Sequence, residues 1–147
     1  MIWTLTVAVF LMLGILAFRG AKWAYFTFLV LGLLFFPARV GFHFHPQRCE
    51  CALNLPLVLF SLTNYKHILL WAIFFLMTAV QLRRYGPRSQ LLIAAGAALA
   101  MGIYVELAEG ITGQGHCRLR DLVPDMAGAT LGAILVLALP RLRKSFK

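Results

Sequence analysis

The stretch QLLIAAGAALAMGIYVELAE, residues 90–109, runs without a charged side chain until Glu106 and Glu109. A helix rising about 1.5 Å per residue needs roughly 20 apolar residues to cross bilayer hydrocarbon, so this run is read as a membrane span. Working outward, four further apolar runs of similar length occur at residues 2–18 (IWTLTVAVFLMLGILAF), 23–39 (WAYFTFLVLGLLFFPAR), 66–82 (KHILLWAIFFLMTAVQL) and 121–140 (DLVPDMAGATLGAILVLALP). A sixth, ALNLPLVLFSL at 52–62, is too short to cross and carries Pro56, so it reads as a re-entrant or interfacial piece. The first run lacks a basic leader and a small-x-small cleavage site before Arg19, and is expected to stay as a helix. Composition agrees: 61% of the 147 residues are hydrophobic, 13% are charged, and the mean hydropathy is +0.83. The expected fold is all-α, a single membrane domain over residues 1–147, built as a polytopic membrane helix bundle of about five transmembrane helices.

Basic residues in short loops stay on the cytoplasmic side. With the N-terminus outside and the C-terminus cytoplasmic, the inner side receives Arg19, Lys22, Arg83, Arg84, Arg88, Arg141, Arg143, Lys144 and Lys147, nine of the fourteen. The outer side receives Arg39, Arg48, Lys66, Arg118 and Arg120, together with every acid, histidine and cysteine. The net charge of +9 is then an inner-loop excess and not a footprint for nucleic acid. The expected partner is the lipid bilayer. Nucleotide-binding glycine loops, HExxH pairs and nucleophile elbows are absent from the sequence. Trp3, Trp23 and Trp71 fall near expected helix ends and fit interfacial anchoring.

On the outer side, VELAEGITGQGHCRLRDLVPDMAGATLG at 105–132 concentrates the acids. Glu106 and Glu109 stand three apart on one helical face, and Gly110, Gly113 and Gly115 are expected to end that helix. Asp121, Asp125, Gly128 and Gly132 follow at spacings of four, three and four, which lays two carboxylates and two glycines along one stripe. The glycines allow close helix approach. Asp121 also reads as a cap at a helix N-terminus. Glu106 and Asp125 lie about a turn inside apolar runs, where a carboxylate marks a candidate site with a partner nearby, and Arg118 and Arg120 are the expected partners. A Glu–Arg–Asp clasp that only ties two helices together is the structural alternative.

The order Glu106, Glu109, glycine-containing loop, Arg118, Asp121, Asp125, Gly128, Gly132 resembles the signature of the VanZ-like membrane proteins, and the run from Lys66 resembles their Lys-x-x-His opening of an earlier helix, here contracted to adjacent Lys66 and His67. The resemblance covers residues 60–137. Glu109 stands where the family has Gln, and Asp125 where it has Asn. The resemblance implies a multi-pass protein of the bacterial cytoplasmic membrane, in a family linked to glycopeptide resistance, acting on the cell envelope. It implies an outer-face polar cluster of Lys66, His67, Glu106, Glu109, Arg118, Asp121 and Asp125 that binds or modifies an anionic lipid or a lipid-linked wall precursor. An Arg there binds phosphate or carboxylate in two-pronged fashion, and a Lys does so as a point charge.

The outer loop at 38–66 contains FHFHPQRCECALN, residues 42–54. Cys49 and Cys51 are too close in sequence to bond each other without strain, and either can bond Cys117 as a staple. A zinc or copper site using His43, His45, Cys49, Cys51, His116 or Cys117 is a second reading, without the spacing of a familiar finger. The third is plain: Phe42 and Phe44 anchor in the interface while the histidines face water. Three functions follow. The first is the envelope ligand reading, the second an accessory subunit among other membrane subunits, and the third an outward metal or thiol redox protein. The residues alone do not say whether any reaction is catalysed.

Overall fold

The computed structural model describes residues 2–138, with side chains from residue 4 onward. The end of the last apolar run and the tail residues Arg141, Arg143, Lys144 and Lys147 lie outside the described residues, as does the side chain of Trp3. The elements are α1 (Ile2–Phe18), α2 (Lys22–Arg39), α3 (Leu55–Ser61), α4 (Tyr65–Gln81), α5 (Pro87–Thr112), a 3-10 turn (Leu119–Asp121) and α6 (Leu122–Ala138). Among the described residues there is no strand, only a single bridge between Glu50 and Arg118.

Two stretches, Pro87–Thr112 and Leu119–Ala138, are long and apolar enough to cross a membrane. The pair α3 and α4, bent by 68° at a short break, makes a third if it is counted as one span. Length and apolar content therefore mark two or three spans, where five were expected; α1 and α2 form as helices but do not pass that measure. The 52–62 run does become helical. Asn54 caps α3 by accepting the N–H of Leu57 at 3.0 Å, and Pro56 fits the first turn, where a missing N–H is harmless.

α5 is longer than its apolar core. It starts at Pro87, passes through Gly110 and ends where Gly113 takes a left-handed φ of 66° and donates its N–H to the Glu109 carbonyl at 2.9 Å. Gly110 therefore does not end the helix as expected. It makes room instead: a Cβ there would sit 2.9 Å from the Cys49 sulfur.

α4 is the hub. Trp71, Ala72, Phe74, Phe75, Met77, Thr78, Ala79 and Val80 are all buried on it, and it packs most extensively against α6. Gly128 and Gly132 set that approach. A Cβ on Gly128 would press on the Ile68 carbonyl and stand 2.9 Å from the Trp71 Cβ, while one on Gly132 would stand 2.9 Å from the Phe75 ring. Trp71 is a core residue in edge contact with Phe74, so it is no interfacial anchor; the apolar environment between α4 and α6 claims it. Trp23 is exposed.

Long polar side chains join the other helices to this hub. Gln81 donates to the Ala17 carbonyl and Gln90 to the Ala79 carbonyl, each at 2.7 Å, and Tyr25 shares a 2.8 Å hydrogen bond with Thr78. Tyr104 donates to the Leu33 carbonyl. The outward faces stay apolar, with Leu11, Leu92 and Leu137 each more than 60% exposed, as suits a surface facing acyl chains. The helix directions leave two chemically different ends: Arg19, Lys22, Arg83, Arg84 and Arg88 gather at one, and the acids, histidines and cysteines at the other, together with Arg39, Arg48, Lys66, Arg118 and Arg120.

Candidate functional site at the acidic end

The site grows from the last turns of α5. Glu106, only 6% exposed, and Glu109 project from one face toward the loop that turns back after Gly113. Glu109 accepts the N–H of His116 at 2.9 Å, and Glu106 accepts the N–H of Arg118 at 2.6 Å. Each carboxylate thus satisfies a loop donor that would otherwise compete for water. Gly115, at φ 105°, is needed for the same reason, because a Cβ there would collide with the Glu109 carboxylate.

Across this loop lies the extended arm that precedes α3. Gln47 donates its N–H to the Gly110 carbonyl at 2.7 Å, Glu50 donates to the Cys117 carbonyl at 2.9 Å, and Leu119 donates back to the Glu50 carbonyl at 3.0 Å. A disulfide between Cys49 and Cys117, 68 positions apart in sequence, fixes the pairing, with Cα atoms 4.7 Å apart. Of the two open partners for Cys117, the arm's register selects Cys49, and Cys51 is a free, exposed thiol.

That register also delivers Glu50 to two guanidinium groups. Arg120 donates from an Nη to one carboxylate oxygen at 2.8 Å, and Arg118 Nε lies 3.3 Å from the other. The Arg120 side chain is only 12% exposed. This corrects the expected pairing of Arg118 and Arg120 with Glu106 and Asp125. Glu106 takes the backbone of Arg118 and leaves its side chain to Glu50, and Asp125 is already engaged by a histidine.

The second cluster joins α4 to α6. His67 Nδ1 and Asp125 Oδ1 are 2.9 Å apart; Asp125 is 2% exposed, and its Oδ2 has no hydrogen-bond partner among the described residues. Gly102 on α5 leaves the space, since a Cβ there would stand 3.1 Å from that Oδ2. The pair orients an imidazole whose side chain is one-third exposed beside exposed Lys66. Asp121 lies in the 3-10 turn that leads into α6.

Of the residues considered as metal ligands, the disulfide takes Cys49 and Cys117, and His43, His45, Cys51 and His116 are all exposed. Among the described residues no three of His, Cys, Asp or Glu are grouped to hold a metal ion. Sequence reasoning missed Glu50 as a site residue and did not place Arg118 and Arg120 on a shared partner. The available signal was the alternation Cys49, Glu50, Cys51 opposite Cys117, Arg118, Leu119, Arg120, in which a strand-like pairing brings an acid to two bases.

This end thus offers two arginines converging on one carboxylate, and a carboxylate-oriented histidine next in sequence to exposed Lys66. No family model, no curated protein and no solved structure matches this chain.

Proposed function

We propose that this chain is a VanZ-like protein of the bacterial cytoplasmic membrane that binds the anionic headgroup of a lipid or a lipid-linked wall precursor at its outer face. In this reading α1, α2, the bent α3–α4 unit, α5 and α6 make five crossings, the basic end faces the cytoplasm and the acidic end faces out. The observation that carries it is the convergence of Arg118 and Arg120 on the Glu50 carboxylate at the end of an apolar bundle. Two guanidinium groups aimed at one pair of oxygens present donors that also match a phosphate, whose oxygens accept charge-assisted hydrogen bonds. Exposed Lys66 adds a point charge at the same end.

Two measurements test it. A membrane-impermeant maleimide added to intact cells should label Cys51, the exposed free thiol, without permeabilisation. Native mass spectrometry of the gently extracted protein should show a bound anionic lipid that Arg120→Ala removes. Retention of that lipid by the variant sinks the binding reading, and labelling only after permeabilisation sinks the orientation.

A further inference from the structure

Glu50 occupies the place where the proposed ligand's oxygens would sit. Its two carboxylate oxygens each face a different arginine, at 2.8 and 3.3 Å, in the manner of the phosphate or carboxylate oxygens those groups are suited to bind. A half-exposed ion pair of this kind is intrinsically weak. What holds Glu50 in place is its setting. Its own N–H and C=O are paired with Cys117 and Leu119, and the neighbouring residue is covalently joined to the neighbour of Arg118.

We propose that Glu50 is a built-in competitor for the Arg118–Arg120 anion site, and that the Cys49–Cys117 disulfide is the latch that keeps it there. This rests on the anion-binding reading above. A tethered group acts at the effective concentration its tether imposes, commonly millimolar for a short linker. With the bond intact a soluble phosphate must outcompete a carboxylate that never diffuses away. Cleavage leaves the arm held by its hydrogen bonds alone, and Glu50 exchanges more freely with ligand. The reductant is a dithiol. One of its thiolates attacks a sulfur of the Cys49–Cys117 bond to form a mixed disulfide, and its second thiol closes a ring. Both cysteines are released as thiols, and the dithiol leaves oxidised by two electrons.

The test uses the full chain in phosphatidylcholine nanodiscs, carrying Cys51→Ser so that reduction reports a single bond. Binding of inorganic phosphate and of dihexanoyl phosphatidic acid is measured by calorimetry before and after treatment with dithiothreitol. Glu50→Gln in the oxidised protein is expected to tighten binding about fivefold, the loss of an internal competitor held by an exposed ion pair. Reduction of the protein that keeps Glu50 should give a smaller gain in the same direction, and reduction of Glu50→Gln none. Tightening with both probes identifies the phosphate group itself as the ligand, whereas tightening with the lipid alone brings its acyl chains into the site; either upholds the latch.

Equal affinity of oxidised Glu50→Gln and the unsubstituted arm refutes the latch while leaving the anion site standing. Should Arg120→Ala in the Glu50→Gln background bind as tightly as Glu50→Gln alone, the anion site itself fails. Circular dichroism checks that reduction preserves the helices, and if it does not, the oxidised Glu50→Gln comparison decides.

Discussion

Gly128→Ala adds one methyl group where α6 crosses α4, and its effect can be worked from contacts. The new Cβ would press on the Ile68 carbonyl oxygen and lie 2.9 Å from the Trp71 Cβ and 3.0 Å from the Ile68 carbonyl carbon, where ordinary contact begins at 3.4 Å. All three atoms are fixed by the α4 backbone, so no rotamer change relieves them. The two helices must part by about half an ångström or more, along the most extensive interface in a close-packed fold. Overpacking of this kind costs about 1–3 kcal/mol, and three fixed contacts put it at the upper end. Alanine returns about 1 kcal/mol of helix propensity, which leaves a net loss of about 2 kcal/mol.

Gly96 on α5 is the control, because a Cβ there meets nothing within 4 Å. Gly96→Ala should therefore gain up to about 1 kcal/mol. The two alanine variants should differ by about 3 kcal/mol, roughly a hundredfold in the ratio of folded to unfolded protein. Gly132→Ala should fall between them, since the Phe75 Cβ at 3.0 Å and the Ala72 carbonyl at 3.1 Å that it meets are fixed by the α4 backbone but less close than the atoms facing Gly128. The assay is equilibrium unfolding in mixed micelles followed by circular dichroism. A Gly128→Ala protein at least as stable as Gly96→Ala would refute the claim that this glycine sets the α4–α6 distance.

The remaining predictions concern the acidic end. Thiol titration should find one reactive cysteine per chain before reduction and three after it, and Cys117→Ser should cost about 4 kcal/mol from the 68-residue separation it releases; more than one thiol in the oxidised protein contradicts the Cys49–Cys117 pairing. Asp125→Asn keeps an acceptor for His67 Nδ1 and should cost about 1 kcal/mol, whereas Asp125→Ala strips a buried partner and should cost about 3 kcal/mol; indistinguishable stabilities would show that the 2.9 Å contact does not hold α4 to α6. In hydrogen exchange, Glu109→Ala should speed the His116 amide about tenfold and spare Arg118, and Glu106→Ala should do the reverse. Uniform acceleration of the loop in both variants would mean that the two carboxylates do not act as separate anchors.

The helices were readable because length and apolarity are local properties. Residues 90–109 and 121–140 announce α5 and α6, and the Gly128 and Gly132 spacing lies on the face that meets α4. Their ends were less legible. Gly110 resembles Gly113 in sequence, and only the folded chain shows that Gly113 takes the left-handed φ that ends the helix while Gly110 stays helical and gives room to Cys49. The acidic end was legible in its membership but not in its pairings. Arg118 was expected to meet Glu106, and it does so through its backbone N–H, a donor that every residue but proline carries. Its side chain turns to Glu50, 68 positions away, because of a disulfide register that Cys49 and Cys51 offer equally on paper. His67 and Asp125 are likewise 58 positions apart.

α5 has 26 residues, whereas α1, α4 and α6 have 17 each. At 1.5 Å per residue these are about 39 Å and about 26 Å, on either side of a typical hydrocarbon thickness of about 30 Å. In the proposed five-span arrangement the bundle would carry a built-in hydrophobic mismatch. If α1 and α6 cross as proposed, they would match a thin bilayer, and α5 would tilt or stand proud of it. Glu106 lies six positions before the end of α5. Acyl-chain length would then be a variable acting on the proposed site: longer chains would bring the hydrocarbon boundary toward the carboxylate that anchors Arg118, and shorter ones would leave the arginine pair nearer the headgroups.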